Sequence, residues 1–289
     1  MVILKLFSGI YISCLISYSY GFILKKTFKF KSNFYEDLII GFFVLGIIGL
    51  IINFFYPINY LVNNILLLIS FTILIFSFYR KKIYKNIFIK IFLISVLSLI
   101  IISFTYFQED YTWYSLPFIS LLNFEKISFG ISNVQFRFGH ISILQYSSAI
   151  LPNLLLSKDF LILPNLIIPV TFLIWIFNKF ILSKKTNSLI ANNFLFFVGI
   201  FVLTKFTRFA EYGNDVAAHT LVFIILYNFL KIYTNDLVSI EKSKIIFSKI
   251  LVLSIFVVTQ KIQYIMIGLF PLYLIMSQIK FEIFKYYKI

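Results

Sequence analysis

Long apolar runs recur along almost the whole chain, and they limit what it can fold into more than any other feature. Of the 289 residues, 61% are hydrophobic and only 13% are charged. A soluble domain is about half apolar and about a quarter charged. A globular shape of this size cannot hide so much apolar surface from water. The sequence therefore predicts an integral membrane protein whose main partner is the lipid bilayer.

The apolar runs predict an all-α, polytopic bundle of transmembrane helices, because a spanning helix needs about 20 mostly apolar residues. We expect about nine spans, at residues 4–24, 37–56, 60–79, 89–106, 160–182, 188–205, 216–233, 249–260 and 263–278. A further apolar segment, 141–156, is interrupted by Pro152 and Asn153. We expect this segment to enter the membrane region without crossing it.

The basic residues predict the orientation of the spans. The formal net charge is +15, and 19 of the 26 lysines and arginines fall in one alternating set of connections, which should face the cytoplasm. The alternation holds only if 141–156 forms a re-entrant or interfacial helix inside a long external loop, 107–159. The prediction is a multi-pass protein of the inner (cytoplasmic) membrane, with its N-terminus outside and its C-terminus inside. Clustered between apolar runs, these charges also argue against nucleic acid as a partner.

Polar and ionisable residues collect on the predicted external side. Because such groups are costly at membrane depth, their positions carry information about function. The candidate site residues are Glu109, Asp110, Tyr114, Arg137, His140, Arg208, Glu211, Asp215, His219 and Lys261. If residues 208–215 are helical, Arg208, Glu211 and Asp215 share one face. Helix capping, snorkelling toward lipid phosphates and an interfacial aromatic belt are the structural alternatives for these residues.

The residue inventory limits the cofactors. With two histidines and one cysteine, Cys14, the chain cannot build a His-rich or thiolate metal site. Carboxylates could hold a hard divalent cation, but the sequence does not require one. We therefore predict no metal ligands and leave the cofactor open.

Four polar stretches hold most of these residues, at 108–117, 133–140, 208–215 and 259–263. Taken in order, they resemble the GT-C superfamily of polytopic glycosyltransferases, and in particular a poorly characterised bacterial branch of it. The residues that carry the resemblance are Asp110, Tyr114, Asn133, Arg137, Gly139, Asp215 and Lys261. The likeness covers roughly 89–275. It divides the chain into an N-terminal three-span segment, 1–88, and a GT-C-like membrane core, 89–289, within one integral membrane unit.

The resemblance implies transfer of a sugar from a polyprenyl-phosphate donor to an acceptor on the non-cytoplasmic face. Asp110, or alternatively Glu109, would be the base that deprotonates the acceptor hydroxyl. Arg137, Arg208 and Lys261 would hold the donor phosphate. The remaining candidate residues, namely Tyr114, His140, Glu211, Asp215 and His219, would support the site.

Two other functions stay open at this point. The chain could be a non-catalytic or degenerate member of the same family. It could also be a transporter or flippase for a lipid-linked saccharide, which would be expected to place ionisable residues near mid-span and to contain broken helices in paired halves.

Overall fold

The structure is a computed structural model, and it is built from helices throughout the part of the chain that it describes. The described residues are 2–29, 31–79, 84–102, 111–133, 136–139, 142–156, 163–183, 189–204, 215–234 and 240–276. Within these ranges the backbone is helical apart from the connections, and one isolated β-bridge joins Asn153 to Leu156.

Ten α-helices are described, and a helical segment follows the last of them. They are α1 Val2–Thr27, α2 Phe34–Phe55, α3 Tyr60–Tyr79, α4 Tyr84–Ile102, α5 Leu116–Phe124, α6 Ile143–Ile150, α7 Leu163–Ser183, α8 Leu189–Thr204, α9 Asp215–Tyr233 and α10 Ile240–Gln260. The terminal segment Ile262–Met276 opens with the 3-10 helix Ile262–Gly268. A π-helical turn, Tyr111–Ser115, precedes α5, and short 3-10 turns lie at Ile131–Asn133 and Phe136–Gly139.

The observed helices confirm the all-α prediction. In the described residues each predicted span is helical, and α1, α2, α3, α7 and α9 are long and apolar enough to cross a membrane. The protein is therefore an all-helical membrane protein. The predicted eighth span, 249–260, lies within α10, which begins nine residues earlier at Ile240. Lys242, Lys244 and Lys249 lower the hydropathy of this stretch, although lysine is a good helix former.

α1 and α2 pack so closely that their contact requires residues without a Cβ. A Cβ on Gly21 would collide with the Asp37 carbonyl oxygen, and one on Gly41 would collide with the Ser17 carbonyl oxygen. Small residues let the backbones of membrane helices approach in this way, because close packing replaces the hydrophobic effect in lipid. The pairing of Gly21 with Asp37 and of Ser17 with Gly41 also makes the two helices antiparallel.

α6 is a short helix that lies inside the bundle. All of its residues from Ile143 to Ile150 are buried. It packs on the middle of α2, where Gly46 and Gly49 leave room for it and where the Ser147 hydroxyl donates to the Phe42 carbonyl. The polar atoms of a short helix must be paired at both ends in such a setting.

Both ends of α6 are tied down by side chains. At its start, Ser142 and Gln145 form a reciprocal capping box. At its end, the Asn63 amide from α3 donates to the carbonyls of Ala149, at 3.0 Å, and Pro152, at 2.7 Å. These bonds fix a segment that hydropathy alone leaves undefined.

Contacts between α2 and α10 show that these helices run in the same direction. Glu36 pairs with Lys249, and further along both helices Phe43 packs against Phe256. The start of α2 therefore lies level with the middle of α10. Since Lys25 of α1 also meets the start of α2, we name this end of the bundle the basic end.

α7 and α9 are parallel as well. The ring of Phe172 stacks on that of Phe223, and one turn further along Trp175 meets Tyr227. Because the last turns of α7 lie at the basic end, α9 begins at the opposite end. The end of α10 lies there too, and so do α5 and the end of α2, where the Asn53 amide donates to the Glu125 carbonyl at 2.9 Å. We name this opposite end the loop end.

Candidate functional site

Two of the predicted site residues meet at the loop end. The Lys261 ammonium donates to Asp215 Oδ1 at 2.6 Å. Asp215 is the first residue of α9, and Lys261 lies between α10 and the terminal segment, so the pair joins two helix ends. The two side chains remain 55% and 36% exposed, respectively. We name Asp215 and Lys261 the loop-end pair.

His219 extends this site along α9. It lies four residues after Asp215, on the same face of the helix. Its ring meets the ring of Tyr264 edge to face, with the centroids 5.8 Å apart. A carboxylate, an ammonium, an imidazole and a phenol therefore lie together at the loop end. Tyr264 is not among the residues predicted from the sequence; its position three residues after Lys261 is the signal that could have identified it.

An apolar groove lies between the two helical segments that Lys261 connects. It has a volume of about 370 Å³ and lies between α10 and the terminal segment. Its lining includes Leu251, Ile255, Thr259, Ile265, Leu272 and Ile275. Thr259 and Ile265 of this lining lie two residues before and four residues after Lys261 in the sequence. Since Ile255 and Leu272 are exposed in the bundle, the groove faces the lipid.

Most of the other predicted site residues lie outside the described residues. These are Glu109, Asp110, His140, Arg208 and Glu211. Arg137 belongs to the 3-10 turn Phe136–Gly139, but its side chain also lies outside the description. Tyr114 is half-buried in the π-helical turn before α5. The meeting of these residues with the loop-end pair stays a prediction.

The basic end holds a charged centre around Glu36 that sequence reasoning missed. Glu36 is buried near the start of α2, with only 2% of its surface exposed. Its Oε2 accepts from the Lys249 ammonium at 2.7 Å and from the backbone N–H of Asn33 at 3.1 Å. Its Oε1 accepts from the Trp175 indole at 2.9 Å, and the Lys179 ammonium lies 3.8 Å from the same oxygen. One carboxylate thus joins α2, α7 and α10.

A second carboxylate extends the centre toward α1. Asp37 is also buried, and it accepts from the Lys25 ammonium at 3.1 Å and from the Ser32 hydroxyl. We name Lys25, Glu36, Asp37, Lys179 and Lys249 the basic-end cluster. The sequence signals for this cluster are Glu36 and Asp37 at the start of one apolar run and Lys249 within another. A charge inside a membrane bundle needs a partner.

Aromatic rings complete the surroundings of Lys179. Its ammonium lies 5.6 Å from the centroid of the Trp175 ring and 5.8 Å from that of Tyr227. Lys231, in the last turn of α9, lies 5.0 Å from the same Tyr227 ring. Cation–π contacts at these distances are attractive. In the described part of the chain, no group of three or more His, Cys, Asp or Glu residues could hold a metal ion.

The fold and these charged groups define a polytopic helical membrane protein. A family model matches residues 1–289, and its description is "Domain of unknown function (DUF8201)". Because the match covers the full chain, the protein belongs to this family. Neither the curated proteins nor the solved structures contain a match to it.

Proposed function

We propose that the protein is a membrane-embedded glycosyltransferase of the GT-C type. It would transfer a sugar from a polyprenyl-phosphate donor to an acceptor on the non-cytoplasmic face of the inner membrane. In this proposal about nine helices span the membrane, α6 is re-entrant, and residues 107–159 form an external loop. The loop end is then the non-cytoplasmic side, because the lysine-rich connections belong in the cytoplasm.

The observation that carries the proposal is the position of Lys261 between the two helical segments that form a lipid-facing groove. A polyprenyl-phosphate donor has a charged head and a long apolar tail. The groove between α10 and the terminal segment offers apolar surface for such a tail, and Lys261, which lies between these two segments in the chain, would bind the phosphate. Asp215 holds the lysine in place at 2.6 Å while leaving it partly exposed to a second anion.

The proposed chemistry follows from the resemblance. The acceptor hydroxyl oxygen attacks the anomeric carbon of the sugar, and the bond from that carbon to the phosphate oxygen breaks. Asp110 takes the hydroxyl proton, and the polyprenyl phosphate leaves with the bonding electron pair. Lys261, with Arg137 and Arg208, stabilises the charge that develops on this phosphate.

Binding of a long-chain polyprenyl phosphate to the purified full-length protein in nanodiscs tests the donor site. We expect Lys261→Gln to weaken binding about tenfold, the loss expected for one charge-assisted hydrogen bond. Lys126→Gln is the matched control, because Lys126 is an exposed lysine that follows Glu125 at the same end. Equal affinities for the two variants would remove Lys261 from the site.

Sugar transfer to an added acceptor fraction tests the catalytic step. We expect Asp110→Asn to abolish transfer while polyprenyl-phosphate binding and membrane insertion are retained. Retained transfer would remove Asp110 from the role of base. If substitutions at Asp110 and Asp215 changed only the stability of the protein, the non-catalytic alternative would replace the proposal.

The basic-end cluster favours a second candidate, a transporter or flippase for a lipid-linked saccharide. Glu36 and Lys249 are buried between helices, as ionisable groups along a transport path are. Flux of a labelled lipid-linked saccharide through proteoliposomes distinguishes the two functions. Flux that is lost in Arg208→Ala at normal expression would favour the transporter over the transferase.

A further inference from the structure

The basic-end cluster carries more positive than negative charge. Its described members are three ammonium groups, from Lys25, Lys179 and Lys249, and two carboxylates, from Glu36 and Asp37. Charges that are removed from water need a partner, and among the described residues no third carboxylate joins this cluster, so its excess cation can bind a further anion.

The excess cation is Lys179. Asp37 pairs with Lys25 at 3.1 Å, and Glu36 pairs with Lys249 at 2.7 Å. Lys179 lies 3.8 Å from Glu36, which is beyond hydrogen-bond distance. Within the described part of the chain its ammonium donates no hydrogen bond, so three donors are available to a ligand.

Trp175 accounts for the 3.8 Å distance between the Lys179 ammonium and Glu36 Oε1. The indole N–H donates to Glu36 Oε1 at 2.9 Å and takes the near position at that oxygen. The same indole ring, together with the Tyr227 ring, lies against the lysine ammonium. These contacts hold Lys179 in place without neutralising its charge.

The side chain of Lys179 is also partly exposed at the surface of the bundle. Its side chain is 23% exposed, compared with 5% for Lys249. It lies in the last two turns of α7, and Lys231 in the last turn of α9 approaches the same Tyr227 ring. The ammonium groups of Lys179 and Lys231 therefore lie 5.8 Å and 5.0 Å from the centroid of the same ring.

We propose that Lys179 binds a phosphate group at the basic end of the bundle, with Trp175 and Tyr227 holding the lysine in place. A phosphate presents several strong acceptor oxygens to an ammonium point charge. Lysines near a membrane surface reach the phosphates of lipid head groups in this way. The phosphate is therefore that of an anionic lipid or of a soluble phosphate ester. This site is separate from the donor site proposed at the loop end.

Native mass spectrometry of the full-length protein tests the lipid source. The probes are phosphatidylglycerol and, as the zwitterionic reference, phosphatidylcholine. We expect the wild type to prefer phosphatidylglycerol about fivefold, the preference expected for one lysine near an anionic head group. Lys179→Gln should abolish this preference and Lys179→Arg should retain it. Lys244→Gln is the matched control, an exposed lysine of α10 toward the same end.

Thermal unfolding with added inorganic phosphate tests the soluble source. A melting temperature that rises with phosphate in the wild type and in Lys244→Gln, but not in Lys179→Gln, assigns the site to a soluble phosphate. A lipid preference that depends on Lys179, without a response to inorganic phosphate, assigns it to a head group. If Lys179→Gln behaves as the wild type does in both experiments, the proposal is overturned.

Trp175→Phe provides an independent test that keeps the lysine. Without the indole N–H, Lys179 should move onto Glu36 Oε1, and phosphate binding should fall severalfold although every charge remains. Unchanged binding in this variant would contradict the role given to Trp175. The same variant keeps the proposal testable if Lys179→Gln does not fold.

Discussion

The two ends of the bundle hold their charges in different environments. At the basic end, Glu36 is 2% exposed and is shared by the backbone N–H at the N-cap of α2 and by donors from α7 and α10. At the loop end, Asp215 is 55% exposed, and Lys261 is the partner that bonds it. A buried ion pair is costly to break, whereas an exposed pair contributes little to stability. The basic end therefore determines how the helices assemble, and the loop end leaves its charges available for binding.

Removing the carboxylate of Glu36 should have the largest effect on stability. Glu36→Gln leaves Lys249 buried without its counter-charge, and we expect a loss of about 3–5 kcal/mol of unfolding free energy. Reversible unfolding in bicelles measures it. The double variant Glu36→Gln, Lys249→Met should recover much of the loss, because the buried Lys249 ammonium is then removed as well and the remaining Lys179 is partly exposed. A double variant no more stable than the single one would show that the ion pair is not the cause.

Substituting a contact glycine should have the next largest effect. Gly41→Ala places a methyl group against the Ser17 carbonyl, and we expect it to cost about 1–3 kcal/mol through displacement of α1 from α2. Gly199→Ala is the matched control in α8, since the nearest atom to the added Cβ is 3.6 Å away. The control should be neutral or slightly stabilising, because alanine favours a helix. Equal losses in both variants would contradict the close crossing.

Removing the amide of Asn63 should have a smaller effect. Asn63→Ala leaves the carbonyls of Ala149 and Pro152 without this donor, and we expect a loss of about 1–3 kcal/mol. Protease accessibility of the segment after α6 should rise with it. Asn64→Ala is the comparison, since among the described residues Asn64 accepts one hydrogen bond, from the exposed backbone N–H of Leu154. Similar accessibility in the two variants would mean that Asn63 does not anchor α6.

Breaking the loop-end pair should affect stability least. Lys261→Gln removes an exposed ion pair, and we expect a change below about 1 kcal/mol in unfolding free energy. The same substitution should weaken polyprenyl-phosphate binding about tenfold. A large loss of stability would show that this pair is structural, and the contrast between the two ends would not hold.

The helices could be predicted from the sequence because the hydropathy of a segment indicates whether lipid or water surrounds it. The predicted span 60–79 matches α3 at both ends, and 216–233 differs from α9 by one residue. The start of α10 could not be predicted in this way, since hydropathy cannot distinguish a lysine buried against Glu36 from a lysine in a connection. For Lys249 the distinction depends on a partner on another helix.

The tertiary contacts of the candidate sites could be predicted only in part. The sequence predicts Asp215 and Lys261 on one side of the membrane, and the structure brings their side chains into a direct ion pair. The ring contact between His219 and Tyr264, and the indole bond to Glu36, depend on how the helices are rotated about their axes. That rotation is set by packing between segments distant in sequence, which the spacing of polar residues does not encode.

Labelling from each side of the membrane is the most direct test that the loop end is non-cytoplasmic and the basic end cytoplasmic. Single cysteines at positions 215 and 261, and at 29 and 244, are introduced into a Cys14→Ser background and treated with an impermeant thiol reagent on intact cells. We expect the cysteines at 215 and 261 to be labelled from outside and to crosslink to each other. Those at 29 and 244 should react only after the membrane is permeabilised. Labelling of 215 or 261 only after permeabilisation would contradict this expectation, because the loop end could not then be the non-cytoplasmic site.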